Sequence, residues 1–203
     1  MKKLFILGIC IIVLQGFSTR AEKSVGWPDE AKPLADLQRP APYTNNVGGT
    51  FRILSPDKEG SQVRWAIDEI EKRGDGGGCL RLEYDVSGKE AHNGFSMKLG
   101  SAGVGGQMDA SGYSKLCLWI KGDSKAGIPS RIKLEVRGET GNVATKYIAN
   151  LNSEWAKVEL PLKEVATQGV DLMKLRELCI VFEQTQAQPA TVGTVYVDDI
   201  TVE

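Results

Sequence analysis

The chain has 203 residues, and its 25 Lys and Arg residues nearly balance its 26 Asp and Glu residues. This balance argues against a surface for nucleic acid or for an anionic membrane, and the length fits one domain with a sizeable core. With one His in the whole chain, His92, a zinc site or a Ser-His-Asp arrangement has few candidate residues.

The first 21 residues have the layout of a secretory signal. Lys2 and Lys3 give a basic start, residues 4–14 are almost wholly apolar, and small or polar residues follow. The apolar run is too short to span a bilayer comfortably. We expect cleavage after Ala21 and a periplasmic or extracellular mature chain with no membrane span. A lipoprotein signal is the less favoured alternative, because Cys10 lies inside the apolar run.

Cleavage would remove Lys2, Lys3 and Arg20 but no acidic residue, leaving 22 basic against 26 acidic residues and a net charge of −4. Three cysteines would remain, at positions 79, 117 and 179, and none belongs to a CxxC pair. We interpret them as buried small hydrophobic residues. A disulfide with one spare thiol is the alternative.

Residues 22–45 are rich in Pro and charge and lack periodicity, which predicts an extended linker or a strap along the domain surface. From residue 46 to residue 203, short segments alternate apolar and polar residues, as in "CLRLEYDV", "KLCLWIKG" and "RIKLEVRG". Gly, Asp, Asn and Ser separate these segments. Roughly nine or ten such strands at close spacing predict an all-β fold, either an antiparallel β-sandwich or a barrel.

Two segments are less regular than the rest. Residues 62–74 fit both strand and helix spacing, and we interpret them as a strand that continues into a charged loop. Residues 171–178 are long enough for only about two helical turns. Convincing helices are therefore missing from the pattern.

The last strand breaks its own alternation. Val197 and the next apolar residue, Ile200, lie three positions apart, so the strand must bulge at Asp198 and Asp199 if both apolar residues face the core. Two adjacent carboxylates repel unless a cation or hydrogen-bond donors offset their charge. Calcium binding and the acceptance of backbone N–H groups at a strand end both remain open.

Several longer segments resemble a known superfamily. "MDASGYSKLCLWIKGD", "SEWAKVELPLKEV", "KLRELCIVFEQ" and "GTVYVDDITVE" look like the galactose-binding-like β-sandwich superfamily, and "NNVGGTFRI" resembles the entry to its first strand. Within that superfamily, the segments resemble secreted carbohydrate-binding modules similar to family 11 and the complex I intermediate-associated protein family. The resemblance covers residues 45–203. It implies a jelly roll of two sheets, often with one concave sheet that holds glycan.

The resemblance also implies a structural calcium ion near the chain ends. Asp198, with Asp199 as second choice, would bind this ion together with carbonyl groups of the loop around Asn46 and Gly48. Calcium prefers carboxylates combined with backbone carbonyls, and such an ion would tie the first ordered strand to the last.

Sugar sites combine an aromatic ring with planar polar side chains. If the relevant strands share one sheet, their outward positions supply both, and the candidates are Trp119, Arg137, Glu135, Arg81 and Glu83. The alternative is a solvated sheet face whose charges pair with one another, with Trp119 covered by residues 22–45.

Catalysis is not expected. In "EYDVSGKE" the last carboxylate, Glu90, follows a turn, whereas a retaining glycosidase needs two carboxyls about 5 Å apart. The Gly-rich segment 100–107 lacks the Lys of a phosphate loop. The sequence thus predicts an exported, non-catalytic domain that binds a polysaccharide or cell-surface glycan. The alternative is a structural or protein-interaction sandwich of the periplasm, with another exported protein as its partner and no glycan.

Overall fold

The computed structural model describes residues 31–37, 44–55, 59–101 and 106–203. The predicted signal sequence and its cleavage site at Ala21 lie outside these residues. The described chain forms an all-β sandwich of two antiparallel sheets, which confirms the predicted fold class.

The described residues form eleven strands, one more than the longest predicted series. In chain order the strands are β1 (Lys32–Ala35), β2 (Phe51–Leu54), β3 (Gln62–Asp68), β4 (Cys79–Asp85), β5 (His92–Lys98), β6 (Lys115–Gly122), β7 (Arg131–Gly138), β8 (Val143–Ala149), β9 (Ala156–Pro161), β10 (Leu175–Glu183) and β11 (Val192–Val202). The helical elements are α1 (Leu162–Thr167), α2 (Gln184–Ala187) and a 3-10 turn at Leu172–Lys174. Among the described residues, no helix has the length and apolar character needed to cross a membrane.

The first sheet has the strand order β3-β4-β11-β6-β9, with β1 added beside the end of β11. The second sheet has the order β2-β5-β10-β7-β8. Alternate residues of each strand point between the sheets and form a continuous apolar core. Tyr84 shares the period-two phase of Leu80 and Leu82, which predicts a core position. It stacks on Phe182 of the second sheet, with ring centroids 4.3 Å apart, so this prediction is confirmed.

The two segments with irregular sequence patterns adopt different structures. Residues 62–74 form β3 and then a charged loop, as predicted. Within residues 171–178, the helical part is a single 3-10 turn. Asp171 accepts the N–H of Met173 at the start of this turn, and the turn ends where β10 begins, at Leu175. The short helices α1 and α2 were not predicted.

Part of the predicted linker belongs to the sandwich. Strand β1 lies within residues 22–45 and pairs with the end of β11. Leu34 and Ala35 of this strand are buried in the core. The Pro-rich segment therefore contributes one strand to the first sheet and two apolar side chains to the core.

The bulge in the last strand is confirmed. The pairing of β11 with β6 shifts register between Asp198 and Thr201, and Val197 and Ile200 are both buried in the core. Asp199 has a φ of +47°, in the left-handed region that non-glycine residues rarely adopt. The extra residue lets the strand keep its apolar side chains on one face.

Candidate functional site

The predicted sugar-binding residues do not share one sheet. Arg81, Glu83 and Trp119 point outward from the first sheet, whereas Glu135 and Arg137 point outward from the second. The expectation of a single face is wrong, because β6 and β7 are consecutive in sequence but belong to opposite sheets. Whether any of these residues binds a sugar stays a prediction, but Trp119 and Arg137 cannot contact the same one.

The outer face of the first sheet is paired internally. Arg81 binds Asp68 at 3.3 Å and Glu83 at 3.0 Å. The guanidinium carbon of Arg73, in the loop between β3 and β4, lies 3.9 Å from the centre of the Trp119 ring. This contact covers part of the ring with a cation, so a sugar could stack on that face of the ring only if Arg73 moved. The predicted cover was residues 22–45, but among the described residues it is Arg73.

The outer face of the second sheet holds a larger network, centred on Glu177 of β10. Arg52 of β2 binds Glu177 at 3.0 Å, and Lys98 of β5 forms an ion pair with the same carboxylate oxygen. From the other side, Arg137 of β7 lies 3.7 Å from the second oxygen. Three cationic side chains, each from a different strand, thus surround the Glu177 carboxylate of β10.

The network continues toward the sheet edge through Glu135. Arg137 donates two hydrogen bonds to Glu135, through Nε at 3.1 Å and Nη2 at 2.6 Å. Lys133 links Glu135, at 3.1 Å, to Glu183, at 2.6 Å. The hydroxyl of Tyr147 on β8 donates to Glu183 at 2.8 Å. We call this connected surface the charged face; it comprises Arg52, Lys98, Lys133, Glu135, Arg137, Tyr147, Glu177 and Glu183.

Two buried carboxylates of the charged face, Glu135 and Glu177, have lowered pKa values. Burial opposes the ionisation of Glu135, but hydrogen bonds from Arg137 and Lys133 outweigh it and hold the pKa of this carboxyl below its usual value. For Glu177 the same balance holds, with Lys98 and Arg52 as the main partners that lower its pKa against burial. The network therefore keeps its charges paired at neutral pH.

The three cysteines are buried and unpaired, as the interpretation of small hydrophobic residues requires. Burial raises the pKa of the Cys79 thiol to about 12 and that of Cys117 and Cys179 to about 11. Cys179 occupies an outward position of β10 but is fully buried. It lies beneath the ion pairs of the charged face, with Sγ 3.9 Å from Glu177.

At the bulge, hydrogen-bond donors offset the charge of the two aspartates. One oxygen of Asp198 accepts the backbone N–H of Arg73 at 3.0 Å, and the other accepts the N–H of Asp199 at 2.8 Å. The guanidinium of Arg73 forms an ion pair with Asp199. Burial, followed by the neighbouring Asp199 charge, still raises the pKa of Asp198 to about 6. Arg73 thus anchors its loop to the bulge and reaches Trp119 as well.

The residues predicted to hold calcium make other contacts in this structure. Asn46 exchanges hydrogen bonds with Asp36, at 2.8 and 3.0 Å, and Gly48 lies against Ser101. A cation bound by both aspartates would compete with the Arg73 guanidinium for Asp199. The donor set fits a salt-bridged corner better than a calcium cage, and calcium binding stays a prediction.

Among the described residues, one group of three metal-ligating side chains meets within 4.8 Å: Cys117, Glu159 and Glu203. Both carboxylates already bind lysines, Glu159 to Lys115 at 2.6 Å and Glu203 to Lys157 at 3.0 Å. Burial raises the pKa of Cys117, so its thiol stays protonated at neutral pH. A neutral thiol is a poor metal ligand, and this group is an ion-pair cluster on the first sheet.

A turn separates the carboxylates of "EYDVSGKE", the segment considered for catalysis. Asp85 ends β4 and accepts the N–H of Ser87 at 2.9 Å and its hydroxyl at 2.7 Å. Glu90 then lies beyond that turn, just before β5. Glu83 and Glu90 therefore do not share a strand face, which is what the paired-carboxylate chemistry requires.

Sequence reasoning missed Arg52, Lys98, Glu177 and Arg73. Lys98 and Glu177 occupy outward positions of alternating strands, so their exposure to one face could have been inferred. Their meeting depends on the sheet order, in which β5 and β10 are neighbours although about eighty residues separate the two side chains.

Comparison with solved structures supports the fold. A family 11 carbohydrate-binding module from Clostridium thermocellum, in complex with a β-1,3-1,4-mixed-linked tetrasaccharide, has a TM-score of 0.60 and 17% identity, covering 85% of this chain and 94% of that chain. A family 30 carbohydrate-binding module has a TM-score of 0.56 and 18% identity, covering 74% of this chain and 90% of that chain. The likeness shows the fold that the sequence resemblance implied: a two-sheet antiparallel β-sandwich, shared with these solved carbohydrate-binding modules.

The fold also occurs as part of larger enzymes. An exo-β-agarase matches with a TM-score of 0.62 and 14% identity over 84% of this chain, but the match spans only 24% of the agarase chain. No family model matches the sequence, and no curated protein is significantly similar to it.

Proposed function

We propose that this protein is an exported, non-catalytic carbohydrate-binding domain that holds a polysaccharide or cell-surface glycan on its charged face. The observation that carries the proposal is the network around Glu177 and Glu135, in which side chains from five neighbouring strands are held in fixed positions. Fixed guanidinium groups suit sugar hydroxyls because their planar donors can bind two acceptors at once. The fold shared with solved carbohydrate-binding modules supports the same function.

The choice between the two faces rests on accessibility. Trp119, the aromatic candidate on the first sheet, is covered by Arg73. On the charged face, Arg52 and Arg137 keep much of their side-chain surface exposed, and Tyr147 adds an exposed ring at the edge strand. The proposed site therefore retains Arg137 and Glu135 from the sequence prediction and replaces Trp119 with Tyr147.

A glycan array with the mature protein tests the proposal, followed by titration calorimetry on the best ligand. Arg137→Ala on the charged face should weaken binding by roughly 1–3 kcal/mol, the scale of losing one strong contact. Arg81→Ala is the matched control, since it removes an ion-paired arginine from the opposite face. Equal losses in the two variants, in proteins with unchanged melting curves, would refute the assignment of the face.

The alternative function is a structural or protein-interaction sandwich without glycan binding. The observation in its favour is that the charges of both faces pair with one another, which an inert surface would also show. An array without any bound glycan, combined with a specific exported partner recovered by crosslinking, would favour this alternative.

Export is a separate part of the proposal, supported by the signal layout of residues 1–21. Expression of the full chain with its natural start, followed by intact-mass measurement of the exported form, tests it. The expected mass lacks residues 1–21. An exported protein that still contains Met1 to Ala21 would contradict the proposal.

A further inference from the structure

The centre of the charged face exposes its cations and buries its anions. At the centre, the Glu177 and Glu135 side chains are only 8% and 10% exposed. Arg52, Lys98 and Arg137, which bind them, are 52%, 32% and 35% exposed. A molecule that approaches this surface therefore meets positive groups first, although the protein as a whole carries a slight negative charge.

The charges on this face do not cancel completely. It holds four cations and three carboxylates, which leaves one positive charge in excess: Arg52, Lys98, Lys133 and Arg137 against Glu135, Glu177 and Glu183. Glu183, at the edge, is the most exposed of the three acids, at 23%. The excess positive charge is therefore concentrated toward β2 and β5, around Arg52 and Lys98.

The same face has little to offer a neutral sugar ring at its centre. Among the described outward positions of the second sheet, Tyr147 is the one Phe, Trp or Tyr, and it lies on the edge strand β8. Its hydroxyl is held by Glu183. Aromatic stacking, the usual contact with a neutral pyranose, is thus confined to one edge, while the centre offers oriented cationic donors.

From this arrangement we infer that the ligand is an acidic polysaccharide, whose carboxylate or sulfate groups bind Arg52, Lys98 and Arg137. The inference rests on the proposed function and names the ligand class of the same site. The buried carboxylates position the cations and limit their motion, so a ligand anion gains charge-assisted hydrogen bonds without ordering long side chains. Glu177 and Glu135 are positioning residues that need not touch the ligand.

Matched polymer pairs test the sign of the charge. Polygalacturonate is compared with its methyl-esterified form, and a sulfated galactan with neutral agarose, by affinity electrophoresis and calorimetry on the mature protein. We expect at least one acidic polymer to bind about tenfold or more tightly than its neutral partner. The affinity should also fall as salt rises from low to physiological ionic strength. The pair that shows the difference identifies carboxylate or sulfate as the bound group.

Variants separate specific binding from general attraction. Arg52→Gln removes an exposed cation without creating a core cavity, and we expect it to weaken acidic binding by about tenfold while leaving any neutral binding unchanged. Lys98→Gln gives a second, independent test with the same expected direction. Arg64→Gln, an exposed arginine on the first sheet, is the matched control and should bind as the parent does.

Results that contradict the acidic ligand differ from results that contradict the proposed glycan function. If neutral polymers bind as tightly as acidic ones, the inference is overturned and the proposed glycan function stands. If acidic polymers bind but Arg52→Gln and Lys98→Gln match Arg64→Gln, the anion does not bind on the charged face and the inference is likewise overturned. If no polymer of either kind binds, and the array is also blank, the proposed function fails together with it.

Discussion

Asp198, the buried aspartate at the bulge, should make a contribution to stability that rises as the pH is lowered. Asp198 is 3% exposed, and its pKa is raised from 3.8 to about 6 by burial and by Asp199. Because the folded state binds this proton more tightly than the unfolded state does, the contribution of Asp198 to the free energy of unfolding rises as pH falls through 6. At about 1.4 kcal/mol per pH unit, the contribution is roughly 3 kcal/mol.

Other carboxylates make pH-dependent contributions of the opposite sign to the free energy of unfolding. The measurement must separate these contributions from that of Asp198. The pKa values of Glu135 and Glu177 are lowered, so their stabilising contribution is present above the unfolded pKa and is lost as pH falls toward the folded one. These groups are distant from Asp198 and common to the parent and Asp198→Asn. The difference between the two proteins therefore isolates the bulge.

The assay is urea unfolding of both proteins at pH 7.5 and pH 4.5, in buffers with chelator. From the higher to the lower pH, the parent should gain about 2 kcal/mol of unfolding free energy relative to Asp198→Asn, because pH 4.5 lies about 1.5 units below the folded pKa. The amide side chain of Asp198→Asn accepts one N–H hydrogen bond fewer than the carboxylate does. The resulting loss of stability is the same at both pH values, so it cancels when the change between the two pH values is compared. Asp198→Asn should otherwise remain a folded sandwich.

In the presence of chelator, a change of the opposite sign would refute this reasoning; a sign that reverses only when calcium is added would favour a calcium site. A bound cation would hold Asp198 ionised and lower its pKa, so acid would then destabilise the parent relative to Asp198→Asn. Repeating the series with added calcium tests this directly. A calcium-specific rise of the melting temperature in the parent but not in Asp198→Asn would support the predicted calcium site. A melting temperature indifferent to chelator and calcium would leave the Arg73 salt bridge as the partner of the bulge.

Three further predictions follow from the packing. Trp119→Ala should lower the free energy of unfolding by about 1–3 kcal/mol, through lost packing and the lost cation–π contact, but leave glycan affinity unchanged; an affinity loss in a stable variant would move the binding site to the first sheet. Gly49→Ala should cost about 1–3 kcal/mol in urea unfolding, since its Cβ would overlap the Lys98 carbonyl, and parent-like stability would contradict that clash. Cys179 and the other two thiols should not react with a thiol reagent until the protein unfolds, and rapid reaction of the native protein would disprove their burial.

Local sequence was sufficient for the elements and for their inward faces. Period-two alternation identified β4, β6 and β7, because a half-buried strand must place every second side chain in the core. The three-residue step from Val197 to Ile200 predicted the bulge for the same reason, and the phase of Tyr84 predicted its burial. The Pro-rich composition before residue 46 concealed β1, since four residues are too few to show a period.

The candidate site depended on which sheet each strand joins. Alternation places Trp119 and Arg137 outward but carries no information about strand order, so it could not show that they lie on opposite faces. Strand order also brings Arg52, Lys98 and Arg137 to Glu177, although these residues are far apart in sequence. The partner of the Asp198–Asp199 bulge is likewise a tertiary feature. A loop residue, Arg73, supplies a backbone N–H to Asp198 and a positive charge to Asp199. Burial of two carboxylates requires such compensation, and only the folded chain determines its source.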